Sequence, residues 1–174
     1  MSFTRTRAFL VVALLAVAAI VVVVVALVRD TQGDAAAGQK CPAGAPTANI
    51  DIPAGADEVK LRVFNGTKTE GVADRVSQEF ADRGFRTQPP AESKTKFGKV
   101  AIIRYGPKSV GAAQWIRAYF LGEADPQYNA KRTTDVIDIV IGAQYKQLAT
   151  KTEVNQSLAQ LSEPKLPPGA CAAR

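Results

Sequence analysis

The chain has 174 residues, with 22 basic and 16 acidic side chains, two cysteines and no histidine. The missing histidine removes the commonest general base and the usual metal triads, so carboxylates are the main groups left for enzyme chemistry. Three arginines and no acids lie in the first 29 residues, which leaves 19 basic against 16 acidic groups in the rest. A balance this close to neutral argues against a nucleic-acid partner.

The N-terminus contains one continuous apolar segment. Residues 8–28 are 21 consecutive Ala, Val, Leu, Ile or Phe residues, and a helix of that length spans about 30 Å, the thickness of bilayer hydrocarbon. A cleaved signal peptide is the alternative, with Arg5 and Arg7 as its basic region and Ala35–Ala37 as the cleavage site. Because the apolar run is long and those alanines lie well beyond it, we predict a retained single-pass transmembrane helix after a short cytoplasmic segment, 1–7.

The two cysteines flank the region that is expected to fold. Cys41 and Cys171 have no second cysteine nearby for a metal or redox motif, so we predict a disulfide that ties the two ends of the domain together, with two unrelated thiols as the alternative. Disulfides persist outside the cytoplasm. The prediction therefore places the C-terminal domain on the extracytoplasmic side of the cell membrane, joined to the helix by a flexible linker, 29–57.

Beyond residue 58, hydrophobic periodicity predicts alternating strands and helices. The predicted order is a strand at 59–63, a helix from Val72 to its C-cap Gly84, a strand at 85–87, a strand at 99–105, a helix from Ser109 to Gly122 and a strand at 136–141. Pro89 and Pro90 end the second strand and place it at a sheet edge. This order predicts an α+β fold of the ferredoxin-like βαββαβ type, with an antiparallel sheet, two helices on one face and the other face exposed. The tail, 148–174, has the spacing for one short helix.

The turn after the first strand contains two glycines with the spacing of a phosphate-binding loop. These glycines are Gly66, within Asn65-Gly66-Thr67, and Gly71. A phosphate-binding loop needs Lys and then Ser or Thr directly after the second glycine, but Val and Ala follow Gly71. Asn65 also begins a glycosylation pattern. A tight strand-to-helix turn explains the motif without a ligand, with Asn-Gly adopting positive φ angles, Gly71 allowing close packing of the helix and Thr69 or nearby backbone capping it.

These segments also carry a resemblance to a known family. "FNGT", "EGVADRVSQEFADRGF", "VAIIRYGPKSVGAAQWIRAYFLG" and "DIVIGAQY" resemble the LytR_C domain of LytR-type cell-envelope proteins of Gram-positive bacteria, over a domain at 58–147. A membrane helix followed by this domain alone is similar to stand-alone actinobacterial members. The resemblance implies a role in building or maintaining the cell wall. It does not imply glycopolymer ligase chemistry, because the catalytic domain of the larger relatives has no counterpart here.

Charged side chains suggest a binding surface more strongly than an active site. Asp74, Glu79 and Asp82 lie on a predicted helix that also carries Arg75 and Arg83, which is typical of a solvated face. Basic residues cluster on the first strand and on a predicted hairpin between the second and third strands: Lys60, Arg62, Arg86, Lys94, Lys96, Lys99 and Arg104. They are interpreted as a surface for anionic wall polymers or lipid head groups. The alternative is a solvated hairpin whose lysines protect an edge strand from pairing.

The sequence therefore predicts a non-enzymatic, membrane-anchored protein of the cell envelope. Its outer domain is expected to support envelope integrity or wall assembly by binding a partner protein or a wall polymer. A dedicated peptidoglycan- or glycopolymer-binding module is the second hypothesis, and an enzyme that uses carboxylates is the third. No catalytic residue, cofactor or metal site is predicted.

Overall fold

The computed structural model describes residue 9, residues 12–23, residue 41 and residues 44–173. The chain divides into two compact units, Met1–Lys40 and Cys41–Arg174. In the first unit, residues 12–23 are helical, whereas most of the rest of the predicted membrane span, the segment 1–7 and the linker residues 29–40 lie outside the described residues. Within the described part of the chain, no helix is both long and apolar enough to cross a membrane. The membrane anchor thus stays a prediction.

The second unit contains a five-stranded sheet, a two-stranded sheet and helices. Its strands are β1 (Thr47–Ala48), β2 (Lys60–Asn65), β3 (Arg86–Glu92), β4 (Ala101–Tyr105), β5 (Asp125–Tyr128), β6 (Ile137–Ile141) and β7 (Cys171–Ala172). Its α-helices are α1 (Val72–Asp82), α2 (Val110–Ala118) and α3 (Lys151–Leu161), and single 3₁₀ turns lie at Ala56–Glu58 and Pro107–Ser109. The α+β class and the order of the six predicted elements are therefore confirmed.

The topology of the main sheet differs from the ferredoxin-like prediction. The strand order is β3-β2-β6-β4-β5, with β2 parallel to both β3 and β6, β4 parallel to β5, and β4 antiparallel to β6. The predicted antiparallel sheet is wrong because α1 acts as a crossover that returns β3 beside β2 in the same direction. Strand β5 was not predicted because its sequence, Asp-Pro-Gln-Tyr, has neither apolar alternation nor β-branched residues.

Strand β3 confirms the predicted edge position and corrects its length. It continues through Pro89 and Pro90 to Glu92, and its register against β2 shifts between the pairs Arg62–Gln88 and Phe64–Ala91. The two prolines therefore lie in an irregularity of an edge strand, where absent backbone donors cost little.

One core lies between the helices and the inner face of the sheet. Leu61 and Val63 of β2 and alternate isoleucines of β6 join side chains from all three α-helices in a single buried cluster. Phe80 of α1 is completely buried, and its ring meets the rings of Phe85 and Tyr119 edge to face, with centroids 5.3 and 5.5 Å apart. Helix α3 adds Val154 to this core, so the C-terminal tail is part of the fold.

The two ends of the folded unit are joined, as predicted. Cys41 and Cys171 form a disulfide with their Cα atoms 5.9 Å apart, and β1 pairs in parallel with β7 beside it. Ala48 of β1 is completely buried. Residues 44–57, which the sequence assigned to the flexible linker, thus include a strand and the start of a 3₁₀ turn of the folded unit.

Candidate functional site

The turn after β2 is organised by the side chain of Asn65. This residue is buried, and its Oδ1 accepts hydrogen bonds from the backbone N and the Oγ1 of Thr67 at 3.0 and 2.8 Å. Its Nδ2 donates to the Thr69 carbonyl at 2.8 Å and to Glu92 Oε1 at 3.0 Å. A glycan on Nδ2 would replace one of its two hydrogens and so remove at least one of these donated bonds from a buried side chain, which favours a structural turn over a glycosylation site.

The two glycines of this turn have exchanged the roles that the sequence suggested. A Cβ on Gly66 would lie 2.6 Å from the Ile141 carbonyl oxygen and 2.9 Å from Val140 Cγ1, so Gly66 is required by close packing and not by a positive φ. Gly71 has a φ of 72°, and a Cβ there would meet no atom within 4 Å. Gly71 is the N-cap of α1 and no side chain caps that helix, so of the two predicted alternatives, Thr69 or nearby backbone, the cap by Thr69 is wrong.

A row of polar side chains crosses the outer face of the sheet. Arg62 of β2 lies in register with Gln88 of β3 and with Asp138 of β6. Asp138 in turn lies beside Arg104 of β4, which pairs with Gln127 of β5. Because residues in register point to the same face of a sheet, all five side chains project on the side away from the helical core.

Asp138 is the centre of this row. Its side chain is 10% exposed, and it accepts hydrogen bonds from Arg62 Nε at 3.3 Å and from Arg132 Nη1 at 3.0 Å. Arg62 also lies over the ring of Phe64, with its guanidinium carbon 4.7 Å from the ring centroid. One buried carboxylate therefore holds two guanidinium groups, and the cluster keeps a net positive charge.

The other predicted basic residues divide between two places. On the outer face, Lys60 pairs with Asp135 at 2.8 Å and Lys99 pairs with Asp125 at 3.2 Å, while Arg86 lies in register beside Lys60. Arg104 donates to Gln127 Oε1 at 3.1 Å. Lys94 and Lys96 lie on the segment that joins β3 to β4, where Lys96 is 3.6 Å from Glu92.

That joining segment is not the predicted hairpin. Strands β3 and β4 are separated in the sheet by β2 and β6, so residues 93–100 have to cross the carboxyl ends of those two strands. Phe97 N donates to the Gly66 carbonyl at 2.9 Å, and Ala143 N donates to the Phe97 carbonyl at 2.8 Å. The seven predicted basic residues therefore do not form one continuous surface.

Four charged residues of the outer face were missed by sequence reasoning: Asp125, Arg132, Asp135 and Asp138. Asp138 did carry a signal, because it is a charged residue inside the apolar strand Ile137–Ile141 and such a group needs a partner. Arg132 carried none, since it lies in a polar connection whose path depends on the tertiary fold.

The structure offers no support for carboxylate chemistry on α1. Asp82 accepts a hydrogen bond from Gln78 at 2.8 Å on the exposed side of the helix. Across the described residues, no three Asp, Glu or Cys side chains come close enough together to hold a metal ion.

The arrangement is that of a small mixed-sheet domain with a charged outer face, and comparison with known proteins identifies its family. The LytR_C family, described as "LytR cell envelope-related transcriptional attenuator", matches residues 58–145, about half of the chain. The chain belongs to this family.

The fold also has a relative among solved structures. It is similar to the crystal structure of the soluble domain of a conserved hypothetical secreted protein (Rv2700 ortholog) from Mycobacterium marinum, with 25% sequence identity and a TM-score of 0.55. The match covers 67% of this chain and 84% of that one. No curated protein sequence matches the chain.

Proposed function

We propose that this protein is a non-enzymatic component of the cell envelope whose outer domain binds an anionic wall polymer through the outer face of its sheet. The proposal includes the predicted membrane helix at 8–28, which would hold the domain close to the wall. It is supported by a family description that concerns the cell envelope, by a structural relative described as secreted, and by the disulfide, which suits an oxidising compartment.

The observation that carries the proposal is the excess of positive charge on a sheet face that helices leave open. The outer face holds six basic side chains, Lys60, Arg62, Arg86, Lys99, Arg104 and Arg132, and three acidic ones, Asp125, Asp135 and Asp138. The helices pack against the opposite face. Three positive charges are therefore left without an acidic counterpart on this surface.

The geometry of this face suits a polymer with repeated negative groups. Arg62 and Arg104 lie two strands apart, which places their backbones about 10 Å from each other, given a strand spacing of about 4.8 Å. Guanidinium groups bind phosphate and carboxylate through paired hydrogen bonds. The Arg62 side chain is 41% exposed even while it is bound to Asp138, so a ligand can reach it. Each contact is worth little alone in water, and affinity then depends on the number of repeated contacts.

Sedimentation with purified cell walls tests the proposal. The folded unit Cys41–Arg174, prepared with its disulfide intact, is expected to sediment with walls at low salt and to be released as salt screens the charges. The double substitution Arg62→Gln/Arg104→Gln should lower the retained fraction. It should leave the fold intact, because Asp138 keeps its hydrogen bond with Arg132.

A matched control removes charge elsewhere. Lys151 and Lys165 are exposed, lie on the side of the sheet that the helices cover, and make no ion pair among the described contacts. Lys151→Gln/Lys165→Gln should therefore leave wall retention unchanged. Equal loss in both double variants would show nonspecific attraction and overturn the proposal. Absence of wall binding, together with crosslinking of the full chain to a membrane protein, would favour the alternative of a protein partner.

A further inference from the structure

A second basic site lies at the carboxyl ends of β2 and β6, apart from the outer face. A cavity of about 460 Å³ opens there between the turn after β2, the first turn of α1 and the crossing segment 93–100. In open sheets of parallel strands, ligands bind outside the carboxyl ends of the strands. The volume lies within the range of small-molecule sites.

Three basic side chains from three different segments line this cavity. Lys68 comes from the turn, Arg75 from α1 and Lys96 from the crossing segment, and no acidic residue is among the described residues that line it. Lys96 has a nearby carboxylate, Glu92, at 3.6 Å. Both of those side chains are more than half exposed, so their attraction is weak and a ligand can compete for the lysine.

Neutral donors add to the positive charge. The first backbone N–H groups of α1 have no side-chain cap, since Gly71 is the N-cap, and they begin at Val72 on the cavity wall. Tyr145 also lines the cavity, but its hydroxyl is buried and lies close to the backbone of Leu148, which is not a lining residue, so this hydroxyl is not counted among the donors to a ligand.

We propose that this cavity binds a phosphate-bearing group, a phosphomonoester or a pyrophosphate. Three positive side chains suit a ligand with several negative charges better than they suit a ligand with one carboxylate. The site is not a nucleotide-binding loop, because neither the lysine nor the hydroxyl residue of such a loop follows Gly71. It shares no residue with the outer face, so it is independent of the wall-polymer proposal.

Calorimetric titration of the full chain in a zwitterionic detergent with inorganic pyrophosphate tests this site. Wild type is expected to bind one pyrophosphate per chain. Lys68→Gln/Arg75→Gln/Lys96→Gln should weaken binding by roughly tenfold or more, since each lost cation removes a charge-assisted hydrogen bond. The control Lys108→Gln/Lys131→Gln/Lys165→Gln removes the same charge at the carboxyl ends of β4 and β5, the opposite end of the sheet from the cavity, and should change the affinity less than about twofold.

The results separate this site from the outer face. The outer-face variant Arg62→Gln/Arg104→Gln should keep pyrophosphate binding. Equal weakening by the cavity triple and by the control triple would overturn the proposal, as would the absence of saturable binding.

A lipid head group and a soluble phosphate share this chemistry. The chain in phosphatidylcholine nanodiscs that contain phosphatidic acid can be compared with the chain in discs that contain phosphatidylglycerol at equal total charge. If pyrophosphate binds more weakly in discs with phosphatidic acid than in discs with phosphatidylglycerol, the lipid competes for the cavity and the natural ligand is a lipid phosphomonoester. If pyrophosphate binds equally well in both discs, the natural ligand is a soluble phosphate compound. Either result supports the site, because both require saturable binding that the cavity triple removes.

Discussion

Asp138 has opposite effects on stability and on the proposed binding, so its replacement separates the two. The carboxylate is buried on the central strand β6 and holds Arg62 and Arg132. Asp138→Asn keeps the shape of the side chain but removes the charge that both guanidinium groups face. Arg132, whose side chain is only 20% exposed, loses the greater part, because a hydrogen bond to a charged group contributes about 1.5–3 kcal/mol. The half-exposed Arg62 adds at most about 1 kcal/mol.

The expected cost is therefore about 2 kcal/mol in the free energy of unfolding, measured by urea denaturation of the folded unit. For a domain of this size that corresponds to a fall in melting temperature on the order of 5–10 °C. Retention on cell walls should move the other way. A unit charge near 4 Å is worth about 1 kcal/mol in water, so loss of the negative charge should raise low-salt retention by up to roughly fivefold.

Asp135→Asn is the matched control, because it removes the same charge from the same face. Lys60 and Asp135 are 43% and 47% exposed, so their ion pair contributes at most about 1 kcal/mol. Wall retention should rise in this variant with little change in stability. The reasoning about Asp138 is refuted if the two variants lose equal stability, and the proposed role of the outer face is refuted if Asp138→Asn folds but binds walls less well.

Three further predictions concern the turn, the disulfide and a buried tyrosine. Gly71→Asn should melt close to wild type because Asn tolerates left-handed backbone, whereas Gly66→Asn should lower the melting temperature sharply because its Cβ collides with the β6 backbone; equal melting of the two variants would contradict the assigned roles. Removing the Cys41–Cys171 disulfide, which spans 130 residues, should lower the free energy of unfolding by up to about 4–5 kcal/mol in urea, and no change on adding reductant to wild type would contradict this. Burial raises the pKa of Tyr145 from 10.0 to about 12, so its contribution to stability is complete below pH 10 and is lost as pH rises towards 12; Tyr145→Phe should flatten the stability curve over that window, and an unchanged slope would contradict it.

Local patterns in the sequence predicted local structure well. The stripe Val72, Val76 and Phe80 gave α1, and Gly84 ends it with a φ of 92°, as a C-terminal glycine should. Pro89 and Pro90 correctly predicted an edge strand. These features depend on the residues of one segment, so the sequence of that segment is sufficient to predict them.

Strand neighbours and close approaches could not be predicted in the same way. Nothing within the apolar strand Ile137–Ile141 says that it lies between β2 and β4, because alternation defines faces and not partners. The role of Gly66 depends on β6 being its neighbour, since the atoms that exclude a Cβ there belong to Val140 and Ile141. The residues around Gly71 do not show that it has a positive φ. The roles assigned to both glycines were therefore wrong, because each role depends on tertiary structure that the local sequence does not specify.

The crossing segment 93–100 divides the predicted basic residues between the two proposed sites. Lys96 lines the cavity at the carboxyl ends of β2 and β6, whereas Lys99, three residues later, pairs with Asp125 on the outer face. A joint charge reversal of Lys94, Lys96 and Lys99 would therefore alter both sites at once, and a loss of wall binding in that variant could not be assigned to either. Lys96→Glu and Lys99→Glu have to be made separately. If each site binds its own ligand, Lys96→Glu weakens pyrophosphate binding alone and Lys99→Glu weakens wall retention alone. A variant that weakens both would mean that the two basic regions act as one site.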